Sequence, residues 1–478
     1  MTELKVLLVD DSPFMRKVFG DVIDADPAFK VLATASDGEE AVNMALELKP
    51  DIITMDLEMP KLNGIEALRK IMSARPTPVI MLSAVTDNGT RDTIRALQFG
   101  AIDFIRKPDG AVNLDIRQVG EMLLEKLRVA TETVNGGAWR MLPAVEDKPD
   151  ADRAFAPPSA PSPGDARIGA AEPEGDPPLA GIRVREADNP APAVPQPPKS
   201  SATAKAAASA APPSARPVRD GKTVAAPRSG ERAKEGPKKG DPPAAPAAAA
   251  LPAARRSAKR TATPPPLPAE ERAQARSPKP KAHFADIVAI GTSTGGPRAL
   301  HEVLTGLPAD FPAPVLVVQH MPPKFTRSLA QRLDTFCEIR VREASDGELV
   351  ETGTAYIAPG GKHMKLDRGE AGKYRIRLSN EGPRNGHMPS VDVLFESLVG
   401  NRQLNRHVVL MTGMGSDGAR GMKALRDDGA RTTIAEAEQT CVVYGMPRSA
   451  VELGAADREL PLQGIAPVLV QQVKARKT

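Results

Sequence analysis

A long segment rich in Pro and Ala is the feature that most limits how this chain can fold. Between about residue 132 and residue 282 the sequence runs through tracts such as Ala247-Ala-Ala-Ala-Leu-Pro-Ala-Ala, with scattered Lys and Arg and almost no large apolar side chains. Such a segment buries too little apolar surface to offset the entropy lost on folding. We therefore predict a disordered linker at 132–282 between two folded domains, at 1–131 and 283–478.

Charge and cysteine content exclude several classes of protein. The formal net charge is only +4, and the basic excess is concentrated in the linker, which argues against a nucleic-acid partner. The two cysteines, Cys337 and Cys441, have no metal-ligand spacing and suit a reducing compartment. There is no apolar run of membrane-spanning length and no basic-then-apolar leader. We expect a cytoplasmic monomer without membrane insertion.

The first domain alternates short apolar segments with amphipathic helical patterns. Continuous apolar strands that alternate with helices are typical of a parallel sheet covered on both faces. The sequence therefore predicts a doubly wound (βα)5 α/β domain. Its predicted strands are Lys5–Val9, Val31–Ala35, Asp51–Met55, Pro78–Leu82 and Ala101–Ile105.

Polar residues follow four of these strands. The first ends in Asp10 and Asp11, the third in Asp56 and the fourth in Ser83, while Lys107 follows the fifth. Because the carboxyl ends of parallel strands share one edge of the sheet, these side chains should converge. Three carboxylates suit Mg²⁺, and one of them could attack a phosphoryl donor. Taken singly, each Asp could also be a turn former or a helix cap.

The segments that carry these residues resemble the response-regulator receiver family over residues 3–130. The matching motifs are Lys5-Val-Leu-Leu-Val-Asp-Asp, Met55-Asp-Leu-Glu-Met-Pro-Lys-Leu-Asn-Gly and Asp103-Phe-Ile-Arg-Lys-Pro. The resemblance implies that Asp56 is the phosphorylated residue. It further implies that Mg²⁺ is held by Asp10, Asp11, Asp56 and the Glu58 carbonyl. Ser83 and Lys107 would contact the phosphoryl group, and Phe104 would be the aromatic residue that changes rotamer on activation.

The second domain repeats the α/β pattern. Strand candidates are Ile287–Ile290, Pro314–Val318 and His407–Met411, each followed by a turn and a helical pattern. Two shorter candidates, Gly353–Ala358 and Lys373–Leu378, suggest a hairpin. The prediction is a second doubly wound α/β domain.

A possible nucleophile lies in the first turn of this domain. Residues 291–295 fit G-x-S-x-G and put Ser293 on a sharp turn between a strand and a helix, whereas the nucleotide-binding glycine patterns are absent. His320 ends the next strand, and Asp417 lies in a Gly-rich loop after a third, so a serine triad is one interpretation. The other interpretation is an ordinary glycine-rich loop together with a histidine that has only a structural role. The order Ser, His, Asp differs from that of α/β-hydrolases.

Six blocks in this domain resemble the chemotaxis protein-glutamate methylesterase family (CheB) across residues 287–457. They are Gly291-Thr-Ser-Thr-Gly-Gly-Pro, Gln319-His-Met-Pro, Tyr356-Ile-Ala-Pro-Gly-Gly-Lys-His-Met, Pro389-Ser-Val-Asp-Val-Leu-Phe, Thr412-Gly-Met-Gly-Ser-Asp-Gly and Cys441-Val-Val-Tyr-Gly-Met-Pro. The resemblance implies a methylesterase domain whose catalytic residues are Ser293, His320 and Asp417, with Met414 in the oxyanion loop and no cofactor for hydrolysis.

The same resemblance implies a substrate and a phosphodonor. The substrate is a methyl-accepting chemoreceptor, whose glutamate methyl esters are hydrolysed with release of methanol and some of whose glutamines are deamidated. The phosphodonor is the chemotaxis histidine kinase, and phosphorylation relieves a block of the active site by the receiver. A linker of about 150 residues departs from the family: it could weaken that block, tether a partner or keep the chain soluble. Alternatives are a response regulator without catalytic activity and a serine esterase outside motility.

Overall fold

The computed structural model describes residues 3–84, 86–107, 113–135, 281–369 and 372–474. All of these residues belong to one compact unit. The predicted linker, apart from its first and last few residues, lies outside the described residues, and the domain limits at 131 and 283 remain predictions. Within the described part of the chain, no helix combines the length and the apolar composition needed to cross a bilayer.

The N-terminal domain is a five-stranded parallel sheet with strand order β2-β1-β3-β4-β5. This arrangement confirms the predicted doubly wound fold. The strands are β1 Leu4–Val9, β2 Phe29–Ala35, β3 Ile52–Asp56, β4 Val79–Ser83 and β5 Asp103–Arg106, and the helices are α1 Pro13–Asp24, α2 Gly38–Leu48, α3 Gly64–Ala74, α4 Asp87–Gln98 and α5 Asn113–Asn135.

Local capping explains where the first four helices begin. The side chains of Ser12, Asp37, Asn63 and Thr86 each accept a hydrogen bond from a backbone N–H in the first turn of the helix that follows. A side-chain acceptor at this position satisfies an N–H that has no partner within the helix. These caps start α1, α3 and α4 just beyond the carboxyl ends of β1, β3 and β4, which keeps that edge of the sheet open for a ligand.

The C-terminal domain is a seven-stranded parallel sheet with strand order β14-β13-β12-β6-β7-β9-β8, together with a separate antiparallel pair, β10-β11. The strands are β6 Asp286–Thr292, β7 Val315–Gln319, β8 Arg340–Glu343, β9 Thr354–Ile357, β10 His363–Arg368, β11 Tyr374–Ser379, β12 Asn405–Leu410, β13 Thr432–Glu436 and β14 Arg458–Leu460. The helices are α6 Gly296–Thr305, α7 Phe325–Phe336, α8 Val391–Ser397, α9 Ala419–Asp427, α10 Met446–Glu452 and α11 Leu462–Lys474. The second predicted doubly wound domain is thereby confirmed.

The suggested hairpin between Gly353–Ala358 and Lys373–Leu378 is wrong. The first segment contains β9, which is buried along its whole length and joins the parallel sheet beside β7. The second contains β11, which pairs with β10. Strand β10 has three buried residues, but three of its six side chains are charged, so its apolar signal is weak.

The strand order determines where the candidate catalytic residues of the second domain meet. Strand β6 is central, with β12 on one side and β7 on the other, and the chain continues from β6 to β7 but from β12 to β13, in opposite directions across the sheet. A crevice forms at the carboxyl ends of strands where the order reverses in this way. The segments that follow β6, β7 and β12 therefore meet at one edge.

Candidate functional site

Ser293 is held by both of its backbone groups in the turn between β6 and α6. Its N–H donates to the Thr412 carbonyl at 3.0 Å, and its carbonyl accepts from the Gly296 N–H at 2.8 Å and from the Gln319 side-chain amide at 2.9 Å. Gly295 has a left-handed backbone conformation, with φ of 79°. This turn is the sharp strand-to-helix connection that exposes a serine side chain at the sheet edge.

His320 follows β7 directly, and one of its ring nitrogens is bonded to Asp417. The His320 N–H donates to the Thr292 carbonyl at 3.2 Å, which ties the residue to the strand that carries Ser293. Its Nε2 lies 2.9 Å from Asp417 Oδ2. Its Nδ1 is buried and has no hydrogen-bond partner among the described residues. Nδ1 is therefore the nitrogen that remains available to a reacting group.

Asp417 lies in the loop before α9, and its carboxylate, which is buried and 2% exposed, faces the first residues of α8. It accepts from the Ser390 hydroxyl at 2.8 Å, the Val391 N–H at 2.7 Å and the Asp392 N–H at 3.2 Å. Burial raises the pKa of Asp417, but the bonds from His320, Val391 and Ser390 outweigh it and hold the pKa well below its ordinary value.

The charge of Asp417 decides the tautomer of His320. An ionised carboxylate only accepts hydrogen bonds, so the Nε2 that faces Asp417 must carry a proton. In a neutral imidazole Nδ1 is then an acceptor. The arrangement therefore gives a buried proton acceptor beside the Ser293 turn, held by a fixed anion, which is the combination needed to activate a hydroxyl nucleophile.

Asp392 supports this geometry, although the sequence analysis did not single it out. Its Oδ1 accepts from the Gly418 N–H at 3.0 Å and the Gly421 N–H at 2.7 Å, so it caps α9 while Asp417 caps α8. Asn385 lies between the two carboxylates, 3.2 Å from Asp392 and 3.4 Å from Asp417. A Ser-Val-Asp segment at a helix start was the available signal, since Ser and Asp favour such positions.

Met414 lies in the loop after β12 and is 38% exposed. The preceding Gly413 carbonyl accepts from the N–H groups of Gly445 and Met446, which anchors the loop to the start of α10. A Cβ on Gly413 would fall 2.7 Å from Ser293 Cβ, so the loop approaches the serine as closely as a glycine permits. The oxyanion role of Met414 remains a prediction.

The carboxylates of the N-terminal domain converge as expected. One ligand atom from each of Asp10, Asp11 and Asp56 lies within 4.8 Å of the others. Lys107 Nζ lies 2.8 Å from Asp10 Oδ2 and 2.6 Å from Asp56 Oδ2. Burial raises the pKa of Asp56 to about 6; Lys107 opposes this and Asp10 adds to it. The oxygen donor set and its excess of negative charge fit Mg²⁺.

The other predicted residues of this pocket have different contacts. The Glu58 backbone N–H bonds to the Asp56 carboxylate and lowers its pKa. The Ser83 hydroxyl, which is buried, lies 3.1 Å from the Ala84 carbonyl and 2.6 Å from the Thr93 hydroxyl, so it is engaged with the β4–α4 loop and α4. Phe104 is buried and stacks on Phe325, the first residue of α7, with 4.5 Å between ring centroids.

Strand β5 and helix α4 of the first domain contact the second domain beside Ser293. The Thr294 hydroxyl donates to Asp103 Oδ2 at 2.6 Å, and Lys126 Nζ approaches the same oxygen at 2.6 Å. On α4 and α7, the Thr90 and Ser328 hydroxyls lie 2.9 Å apart, and Arg332 donates to Gln98 at 2.9 Å. The residue next to the candidate nucleophile is thus bonded to the domain that contains Asp56.

Comparisons with known proteins agree with both halves of this arrangement. A family model for CheB methylesterase matches residues 288–469, and one for the response regulator receiver domain matches residues 6–117. The protein-glutamate methylesterase/protein-glutamine glutaminase of Geobacillus kaustophilus (strain HTA426) is 37% identical over 473 residues, covering 99% of each chain. That of Halalkalibacterium halodurans is 35% identical over 473 residues, again covering 99% of each. The crystal structure of the Thermotoga maritima CheB methylesterase catalytic domain is 44% identical, with a TM-score of 0.39, covering 40% of this chain and 100% of that one.

Proposed function

This chain belongs to the family of protein-glutamate methylesterase/protein-glutamine glutaminases that carry a receiver domain, and from that premise we propose that it hydrolyses glutamate methyl esters on chemoreceptors under the control of phosphorylation. The observation that supports the proposal most directly is the 2.9 Å bond between His320 and Asp417 beside the Ser293 turn. We further propose that this activity serves adaptation in chemotaxis, in the cytoplasm, with a methyl-accepting receptor as substrate.

The residues assigned to catalysis are Ser293, His320 and Asp417. Ser293 Oγ attacks the γ-carbonyl carbon of the methylated glutamate and gives its proton to His320 Nδ1. Asp417 stabilises the imidazolium that results, because its carboxylate is held ionised. The Met414 N–H is assigned to the carbonyl oxygen as negative charge develops there.

Collapse of the tetrahedral intermediate completes acylation. The carbon–oxygen bond to the methoxy group breaks, His320 Nδ1 returns the proton and methanol leaves, so that a glutamyl ester of Ser293 remains. A water molecule then gives a proton to Nδ1 and attacks this ester, which releases a glutamate carboxylate and the serine hydroxyl. With a glutamine side chain the leaving group is ammonia and the acyl-enzyme is the same, so we propose deamidation as a second activity.

Asp56 is the proposed site of phosphorylation, with the chemotaxis histidine kinase as donor. Asp10, Asp11, Asp56 and the Glu58 carbonyl would hold Mg²⁺, which supplies positive charge for the phosphoryl oxygens when it is bound. Lys107 and Ser83 are assigned to the same oxygens. Because Ser83 is bonded to the β4–α4 loop, it must change partners to reach a phosphoryl group at Asp56.

Strand β5 offers a direct connection between the two sites. It carries Asp103 and Phe104, which contact Thr294 and Phe325, and it leads to Lys107, which contacts Asp56. Movement of Lys107 toward a phosphoryl group would therefore disturb contacts beside the nucleophile. A coupling of ~1–3 kcal/mol between the sites would change the ratio of molecules with an unblocked active site to those with a blocked one by roughly 5- to 150-fold.

Methanol release from methylated receptor membranes tests the whole proposal. The wild type, Ser293→Ala and Asp56→Ala are compared with and without a small-molecule phosphodonor and Mg²⁺. Ser293→Ala should abolish release, and Asp56→Ala should abolish only the stimulation. A wild type that releases no methanol would refute the esterase assignment.

A further inference from the structure

The ring of His387 lies flat against the ring of His320. Their centroids are 3.8 Å apart and their planes differ by 7°. His387 belongs to the segment between β11 and α8, where its N–H and carbonyl pair with the carbonyl and N–H of Arg384, each at 3.0 Å. The Gly361 N–H also donates to the carbonyl of the next residue, Met388, at 3.0 Å. The stacked ring is therefore presented by an anchored loop.

We propose that His387 is a positioning residue for the hydrolysis: its ring covers one face of the His320 imidazole and keeps Nε2 on Asp417, so that Nδ1 stays the nitrogen available to accept the serine proton. This inference rests on the proposed function of Ser293, His320 and Asp417. The hydrogen bond to Asp417 fixes one point of the imidazole but leaves the ring able to rotate about the axis of that bond. A parallel ring at 3.8 Å removes this freedom, and catalysis is sensitive to displacements of about 1 Å.

The charge state of His387 suits this role. Burial and the neighbouring His320 lower the pKa of His387 to about 4; Asp417 acts in the opposite direction, and Lys126 on α5 lowers the pKa further. His387 is accordingly neutral near pH 7. When His320 accepts the serine proton, the imidazolium lies against a neutral aromatic face, which attracts a cation and does not repel it.

Substitutions at residue 387 separate a flat ring from ring nitrogens and from volume. His387→Phe keeps an aromatic face without nitrogens, His387→Leu fills a similar volume without one, and His387→Ala removes both. The interaction energy of a stacked aromatic pair corresponds to about a 3- to 10-fold change in rate. We expect kcat to fall by that factor in the Ala and Leu variants, with KM changed less than twofold, while the Phe variant stays near wild type.

The control is His283→Ala, a matched change at the start of the domain and away from the carboxyl edge of the sheet. It should leave kcat and KM unchanged.

Labelling of Ser293 by a fluorophosphonate provides a second readout that needs no receptor substrate. The rate should fall 3- to 10-fold in the Ala and Leu variants and stay near wild type in the Phe variant. Equal rates in all four proteins would overturn the proposal, and so would a Phe variant as slow as Ala, because the ring nitrogens would then be required. If wild type labels Ser293 but releases no methanol, the proposed substrate is wrong, while the labelling rates still decide the role of His387.

A folding defect is detected separately. Each variant is checked by thermal unfolding before its rates are compared. If His387→Ala does not fold, the comparison of Leu with Phe decides, since both keep the volume: equal rates overturn the proposal, and a slower Leu variant supports it.

Discussion

Asp56 and Asp417 are both nearly fully buried, 4% and 2% exposed, yet their pKa values move in opposite directions. For both, burial is the largest influence and raises the pKa. Asp417 faces His320 and three hydrogen-bond donors at the start of α8, which reverse that effect. Asp56 has Lys107 and one backbone N–H, but it also has the carboxylate of Asp10 beside it. Because burial acts in the same direction on both carboxylates, the difference between their pKa values comes from the hydrogen-bond donors and neighbouring charges of each site.

The opposite pKa shifts of the two carboxylates agree with the role proposed for each. Asp417 must remain an anion throughout the reaction so that His320 keeps one tautomer, and a helix start achieves this without any bound ion. Asp56 must attack a phosphoryl donor, so it needs a charge that is only partly compensated and a cation that arrives with the donor. Similar edges of two parallel sheets thus support a fixed charge in one domain and an adjustable one in the other.

Asp417→Asn should give the largest effect, because it removes the fixed charge while keeping the shape. An amide NH₂ turned toward His320 would favour the wrong tautomer, and kcat for methanol release should fall about 10⁴-fold, as for the equivalent change in other serine triads. Asp392→Asn is the matched control, since burial already raises the pKa of that carboxyl. We expect it to lose less than tenfold. Similar losses for the two variants would mean that Asp417 acts only as a helix cap.

Each of the two candidate nucleophiles, Ser293 and Asp56, lies against a glycine, so an alanine at that glycine should disturb one site and not the other. A Cβ on Gly413 would lie 2.7 Å from Ser293 Cβ, and a Cβ on Gly64 would lie 2.0 Å from the Asp56 carbonyl oxygen. Gly413→Ala should therefore lower methanol release about 10²-fold, the scale of a 1 Å misplacement, and leave phosphorylation unchanged. Gly64→Ala should slow phosphorylation of Asp56 without reducing unstimulated release. Loss of both activities in either variant would contradict this separation.

The candidate residues of both sites could be grouped from the sequence because both groupings depend on one rule of topology. Parallel strands bring their carboxyl ends together, so Asp10, Asp56 and Lys107 could be grouped without knowing any loop conformation, as could Ser293 and His320. The Gly-rich loop after β12 made Asp417 a reasonable third member.

Residues that reach the site from long loops could not be predicted in this way. His387 and Asn385 lie between β11 and α8, and their positions depend on the path of that loop and not on strand order. Strands β8, β13 and β14 were missed because they are short or carry polar residues, such as the Thr-Thr pair that begins β13 and the Arg and Glu of β14. The hairpin error has the same origin, since β10 has a weak apolar pattern.

Asp56→Asn should stabilise the N-terminal domain at neutral pH. The raised pKa means that the folded state binds the proton more tightly than the unfolded state, so stability falls as pH rises through the range from 3.8 to about 6 and stays low above it. At 1.36 kcal/mol per pKa unit, the neutral amide should recover about 3 kcal/mol at pH 8 without divalent cations, and little at pH 4.

Hydrogen exchange of the amides in β1, β3 and β4 measures this change for the N-terminal domain alone. Asp21→Asn, at an exposed site on α1, is the control and should change stability by less than about 0.5 kcal/mol. A stabilisation of the same size at pH 4 and pH 8 would mean that the gain does not come from the charge of Asp56.

Asp103→Asn should give the smallest effect, at the point where the two regions meet. The Asp103 carboxylate accepts from Thr294, the neighbour of Ser293, and pairs with Lys126. Since a hydrogen bond to a charged group is worth about twice one to a neutral group, we expect methanol release without a phosphodonor to rise about 3- to 10-fold, as a ~1 kcal/mol loss would allow. Asp26→Asn, which removes an ion pair with Arg128, is the control for loss of an acidic charge from the same domain. Unchanged release in Asp103→Asn, with normal stimulation by phosphorylation, would mean that the contact with Thr294 does not restrain the nucleophile and that coupling runs through Phe104 and Phe325 instead.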